Sequence, residues 1–123
     1  MGFSASRAVC ALVFLASTMM TPSVLAHAHL KQPIPAADSV VSAPQALTLN
    51  FSEGIEPGFS GVVVTDAQKQ VIKTGTATHD EKNKAQLTVP LDQTLTPGTY
   101  QVDWHVVSVD GHKTKGSYHF SVK

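Results

Sequence analysis

Apolar and polar residues alternate with a period of two along most of the chain, which is the signature of half-buried strands. Leu47, Leu49 and Phe51 alternate with Thr48, Asn50 and Ser52, so one face of that segment is apolar. Tyr100, Val102, Trp104 and Val106 make the longest run, with Gln101, Asp103 and His105 directed the other way. Tyr118, Phe120 and Val122 repeat the pattern near the C-terminus. Leu30 to Ile34, stiffened by Pro33 and Pro35, reads as an early strand. Val62 to Val64, Val71-Ile72 and Leu87-x-Val89 are short further candidates. Turn-forming clusters separate these segments at Glu56-Pro57-Gly58, Asp66 to Lys69, His79 to Lys84, Thr96-Pro97-Gly98 and Asp110-Gly111. No stretch keeps a helical period. About seven short strands with regular turns predict an all-β fold, an immunoglobulin-like or cupredoxin-like Greek-key β-sandwich, with Trp104 as its central core aromatic.

The first residues follow a different pattern. Arg7 supplies a positive start, Val9 to Leu15 an apolar run, Pro22 a helix break, and small Ala26 a cleavage position with Val24 two residues before it. This is the layout of a signal peptide, residues 1–26, ahead of one domain at 27–123. A cut after Ala28 also fits the small-x-small rule. The apolar run is short for a membrane span. An exported, periplasmic protein is expected, with no direct membrane insertion after signal removal.

Removing the leader removes Cys10, Arg7 and all three Met, and leaves eight Lys against nine Asp and Glu. A net charge near −1 gives no electrostatic case for nucleic acid. Without Cys, neither a disulfide nor a thiolate metal site is available to residues 27–123.

The chemistry concentrates in histidine, six of them in the chain. With the cut after Ala26, His27 becomes the first residue and offers two nitrogens, its α-amine and its imidazole, on one short chelating frame. That is a strong site for copper(II). Asp110 and His112 stand two apart across Gly111, just past the longest strand, and can project to one side. The same residues also read as an ordinary hairpin turn. His29 is a local competitor, because a terminal amine with His at position three can wrap copper(II) through deprotonated backbone amides. That mode needs a free terminus, whereas a docked strand from Leu30 commits those amides. His105 and His119 alternate with core residues and are expected on a solvent face, as cross-strand neighbours. His79 lies in loop-like composition, and Lys113 and Lys115 read as solvated.

The mature chain resembles the CopC family of periplasmic copper-binding proteins, and most of all its short YobA-type members. The residues that carry the resemblance are His27, Leu49-Asn50-Phe51-Ser52-Glu53 and Pro97-Gly98-Thr99-Tyr100-x-Val102-x-Trp104. Val107-Ser108-x-Asp110-Gly111-His112 and Gly116-x-x-x-Phe120-Ser121-Val122 complete it, in order along nearly the whole mature chain. The resemblance implies a copper(II) site, one per chain, and supports the cut after Ala26. His27 would give amine and imidazole, His112 a second imidazole and Asp110 a carboxylate oxygen. Glu53 would be an outer or weak axial group. Mixed nitrogen and oxygen donors in a tetragonal set suit copper(II), with zinc held less tightly.

Some family members add a copper(I) site in a methionine-rich loop. The corresponding region here, Thr65 to Lys84, has no Met, so copper(II) alone is expected. The resemblance also implies a CopD-type inner-membrane copper protein as partner. Two other readings compete with copper homeostasis and resistance through buffering or delivery. One is a histidine-brace copper oxygenase-like enzyme, which needs an open coordination position that Asp110 would tend to fill. The other is a non-catalytic immunoglobulin-like interaction module, in which the terminal His and the Asp-Gly-His turn are accidental. Copper binding without catalysis is the reading the residues favour.

Overall fold

The computed structural model describes residues 28–123. The proposed leader and His27 therefore lie outside the described residues. Nine strands run through the described residues: β1 (Leu30–Ile34), β2 (Val40–Val41), β3 (Ala46–Phe51), β4 (Gly61–Thr65), β5 (Val71–Ile72), β6 (Thr78–Asp80), β7 (Asn83–Pro90), β8 (Gly98–Val107) and β9 (Lys113–Val122). Among the same residues a single 3₁₀ turn, Pro57–Phe59, precedes β4. The strands form two sheets, ordered β1-β3-β7-β6 and β2-β9-β8-β4-β5. The result is a Greek-key β-sandwich, as the alternation predicts. No helix among the described residues is long and apolar enough to cross a membrane.

The two strands beyond the expected seven are β2 and β6, of two and three residues. Neither is long enough to show a period, and β2 exists because it lies parallel to the end of β9. His79, which the composition suggested was in a loop, sits in β6. There its Nδ1 donates to the Ile55 carbonyl at 3.2 Å.

The core is the set of positions the alternation marks. Leu47, Leu49 and Phe51 of β3 face Tyr100, Val102, Trp104 and Val106 of β8 and Tyr118, Phe120 and Val122 of β9 across the sandwich. Trp104 meets Phe51 edge-on at 5.2 Å, joining the two sheets, and Tyr100 stacks on Phe120 at 5.7 Å. Such pairs add about 0.5–1.5 kcal/mol beyond the area they bury. The Trp104 ring lies over the backbone of its ladder partner Gly116, where a Cβ would come within 2.6 Å of the ring. A side chain there has no room.

The β8–β9 hairpin is the longest element, ten residues on each side, paired from Gly98↔Val122 to Val107↔Lys113. Its register corrects one expectation. His105 lies opposite Lys115 and His119 opposite Gln101, so the two histidines are exposed as expected but are not cross-strand neighbours. The hairpin closes through residues 108–112, and that turn is where the expected chemistry falls.

Candidate metal centre

The turn is built by backbone bonds before any side chain takes part. Ser108 N–H donates to the His112 carbonyl at 2.9 Å, and Gly111 N–H to the Ser108 carbonyl at 2.8 Å. Gly111 takes φ +92°, a left-handed conformation that glycine adopts without strain and that bends the chain between Asp110 and His112. The segment after β3 braces the turn from the side. Val109 N–H donates to the Gly54 carbonyl at 2.9 Å, Glu56 N–H to the Val107 carbonyl at 2.8 Å, and Ile55 bridges Ser108.

The bend brings Asp110 and His112 together, with Nδ1 of the imidazole 3.0 Å from Oδ1 of the carboxylate. Both side chains are open to solvent, at 42% and 47% exposure. Neighbouring donors on a small cation whose bonds are about 2 Å long stand about this far apart. Oδ1 also receives the Ser108 hydroxyl and, at 3.3 Å, the His112 N–H. Donation first by the Ser108 hydroxyl and then by His112 lowers the Asp110 carboxyl to about 2, against the opposing effect of desolvation. The carboxylate is therefore charged at every ordinary pH, ready to accept a cation.

The start of the described chain arrives at the same end of the sandwich. Ala28 is buried in the core, at 1% exposure, and Thr114 Oγ1 donates to its carbonyl at 3.1 Å. Thr114 is the second residue of β9, close behind His112. Next along the chain, His29 N–H donates to the Ser52 hydroxyl at 2.8 Å, and His29 accepts the Ser52 N–H at 2.9 Å. The His29 side chain itself is exposed. Glu53 follows Ser52 and precedes Gly54, so both its backbone neighbours are tied to the centre, one to residue 29 and one to Val109.

Of the four residues expected at the site, the described structure joins Asp110 and His112. Glu53 is half-buried on the bracing segment and is not joined to that pair. No group of three or more His, Cys, Asp or Glu close enough to hold a metal occurs among the described residues. His27 lies outside them. Thr114, which no motif marked, and Ser108, quoted above only as part of the family motif, are structurally central. Ser108 had a legible signal, a small hydroxyl two positions before an Asp-Gly pair, where such groups bond within turns.

Residues 30–123 match the CopC domain family model. Protein YobA of Escherichia coli strain K12 is 60% identical over 114 residues, 92% of each chain. Copper resistance protein C of Escherichia coli is 36% identical over 108 residues, covering 82% of this chain and 85% of the relative. Among solved structures, PcoC, a methionine-rich copper resistance protein from Escherichia coli, superposes with a TM-score of 0.71 at 35% identity, covering 80% of this chain and all of that one. CopC from Methylosinus trichosporium OB3b gives 0.73 at 31% identity, covering 79% and 94%.

Proposed function

The chain belongs to the CopC family, and from that premise we propose that it is a periplasmic copper(II)-binding protein, holding one ion per chain without catalysing a reaction. Signal peptidase removes residues 1–26, and His27 becomes the N-terminus of a domain spanning 27–123. Copper(II) is held by the amine and imidazole of His27, the imidazole of His112 and the carboxylate of Asp110, with Glu53 as an outer or weak axial group.

One observation carries this reading. The Ala28 carbonyl is anchored on Thr114, at the foot of the turn that pairs Asp110 with His112. A residue joined to Ala28 starts one peptide unit away, about 3.8 Å between Cα atoms. Its two nitrogens therefore begin within a short reach of an imidazole and a charged carboxylate. Nitrogen and oxygen donors of this kind favour copper(II) over zinc in the divalent order.

The local mode through His29 is disfavoured by the same anchors. It needs the His29 amide nitrogen bare and bound to metal, whereas that N–H donates to Ser52 and the preceding Ala28 is buried. Copper(I) is held weakly, because the domain from residue 27 onward has no Met or Cys to supply soft donors. Affinity falls on acidification as the imidazoles and amine take up protons. In the cell the protein buffers copper or passes it to a CopD-type inner-membrane protein, contributing to copper homeostasis and resistance.

The test is a competitive copper(II) titration of protein whose first residue is confirmed as His27 by mass spectrometry, run beside a version carrying one extra residue ahead of it. A tight one-to-one site that collapses in the extended version is expected. Equal binding in both removes the amine from the site and returns the domain to the interaction-module reading.

A further inference from the structure

Ser108 is the one buried polar residue among the described core positions, at 0% exposure. A buried hydroxyl must find partners, and Ser108 finds its own entirely within the turn. It donates to Oδ1 of Asp110, accepts the His112 N–H at 3.3 Å, and lies 3.3 Å from the His112 carbonyl. Its backbone is fixed independently by the pairing with His112, the bond from Gly111 and the bridge to Ile55. The hydroxyl is therefore not needed to make the turn. Its effect falls on the carboxylate.

Asp110 is exposed, and an exposed carboxylate rotates and hydrates freely unless something holds it. Ordering it at the moment a metal binds would subtract from affinity. Holding it beforehand removes that cost, which is how supporting groups around a metal site act. We propose that Ser108 is a positioning residue of the copper centre, acting through Asp110: its buried hydroxyl pins one carboxylate oxygen beside the His112 imidazole, so that the carboxylate meets the ion in a single orientation. The proposal rests on the copper(II) reading above, and goes beyond it in assigning a role to a residue that does not touch the metal.

The experiment is a double-mutant cycle on the N-terminally intact protein with Ser108→Ala, Asp110→Ala and the pair together, and His112→Ala alongside. Ser108→Ala is expected to weaken copper(II) binding about tenfold, the scale at which groups behind a ligand act. It should also shift the copper hyperfine splitting in the electron paramagnetic resonance spectrum. The copper-free variant should keep the parent's circular dichroism spectrum and melting temperature. In the Asp110→Ala background, removing the hydroxyl should change affinity less than about twofold, because the group it acts through is gone. A loss of equal size in both backgrounds would mean the hydroxyl serves packing, and would overturn the proposal. So would unchanged affinity and spectrum in Ser108→Ala while His112→Ala fails to bind, an outcome that leaves the copper reading standing. Full binding by His112→Ala would take the turn out of the site in favour of the local His27-Ala28-His29 mode, and would overturn the proposal with it.

Discussion

In the turn between β8 and β9, the buried Ser108 hydroxyl has partners in Asp110 and His112; farther along β9, the enclosed Tyr118 hydroxyl has none among the described residues. The two regions belong to one hairpin and are continuous through the Val107↔Lys113 pair. The ladder is organised by shape, with Trp104 over Gly116 and against Phe51. The turn is organised by hydrogen bonds, and its Asp110 and His112 side chains reach solvent. Substitutions should therefore separate cleanly. Changes in the turn should alter metal binding and spare the fold, and changes in the ladder should do the reverse.

The largest separation is expected from His112→Ala. The imidazole is nearly half exposed, and the turn around it is held by backbone bonds, so the apo fold should keep its melting temperature within a few degrees. Copper(II) affinity should fall by about a hundredfold or more, about 2.7 kcal/mol, read by competitive titration. Gly116→Ala probes the other region. A methyl group 2.6 Å from Cζ2 of Trp104 must displace a ring locked between sheets. Overpacking of this kind costs about 1–3 kcal/mol, measured by urea unfolding, with copper affinity in the folded variant unchanged within a few fold. A Gly116→Ala protein of full stability but impaired copper binding would show that the ladder and the turn are not separable.

The same contrast explains what the sequence made legible. The core faces of β3, β8 and β9 could be read from alternation alone, because burial on one side of a strand imposes it residue by residue. β2 and β6 could not, since two or three residues show no period and pairing with β9 or β7 decides them. Asp110 and His112 could be picked out by type and spacing. What ties this end of the sandwich to Ala28 and His29 could not, because Thr114 and Ser52 act through backbone partners distant in the chain. The exposure of His105 and His119 followed from alternation, but their separation depended on how many residues close the hairpin. The strand at His79 is hidden in the sequence because Asp80 ends it and Glu81 and Lys82 form the tight turn that follows, so three charged residues mask a three-residue strand.

A smaller and opposite effect is expected from Tyr118→Phe. The hydroxyl loses its water on folding and gains nothing, so its removal should raise stability by about 1 kcal/mol. Burial also pushes the Tyr118 phenol upward. For an acid raised in the folded state, the folded protein keeps its full stability below the unfolded-state value, about 10, and loses it as pH climbs beyond. Unfolding curves from pH 8 to 11 should show a steeper alkaline decline in the parent than in Tyr118→Phe. Identical declines would mean the hydroxyl has found a partner in solution.

The smallest effect is expected where histidines are present but unorganised. His105 and His119 share the outer face of the five-stranded sheet, so composition alone makes them a candidate second site. The register places them at the ladder positions of His105 and Gln101, which are four residues apart on β8. At about 3.4 Å per residue that is roughly 14 Å of strand, far beyond the span of one ion's ligands. Both imidazoles stand on regular ladder positions, without the turn and side bracing that converge on residues 108–112 among the described residues. The double variant His105→Ala/His119→Ala should therefore bind copper(II) within about twofold of the parent and with the same stoichiometry, because a 1.4 kcal/mol difference would already be tenfold. Loss of a second copper equivalent in that titration would place a real site on the outer face. It would also count against the proposal for the turn, which looks for a metal centre where anchors converge and not where histidines are numerous.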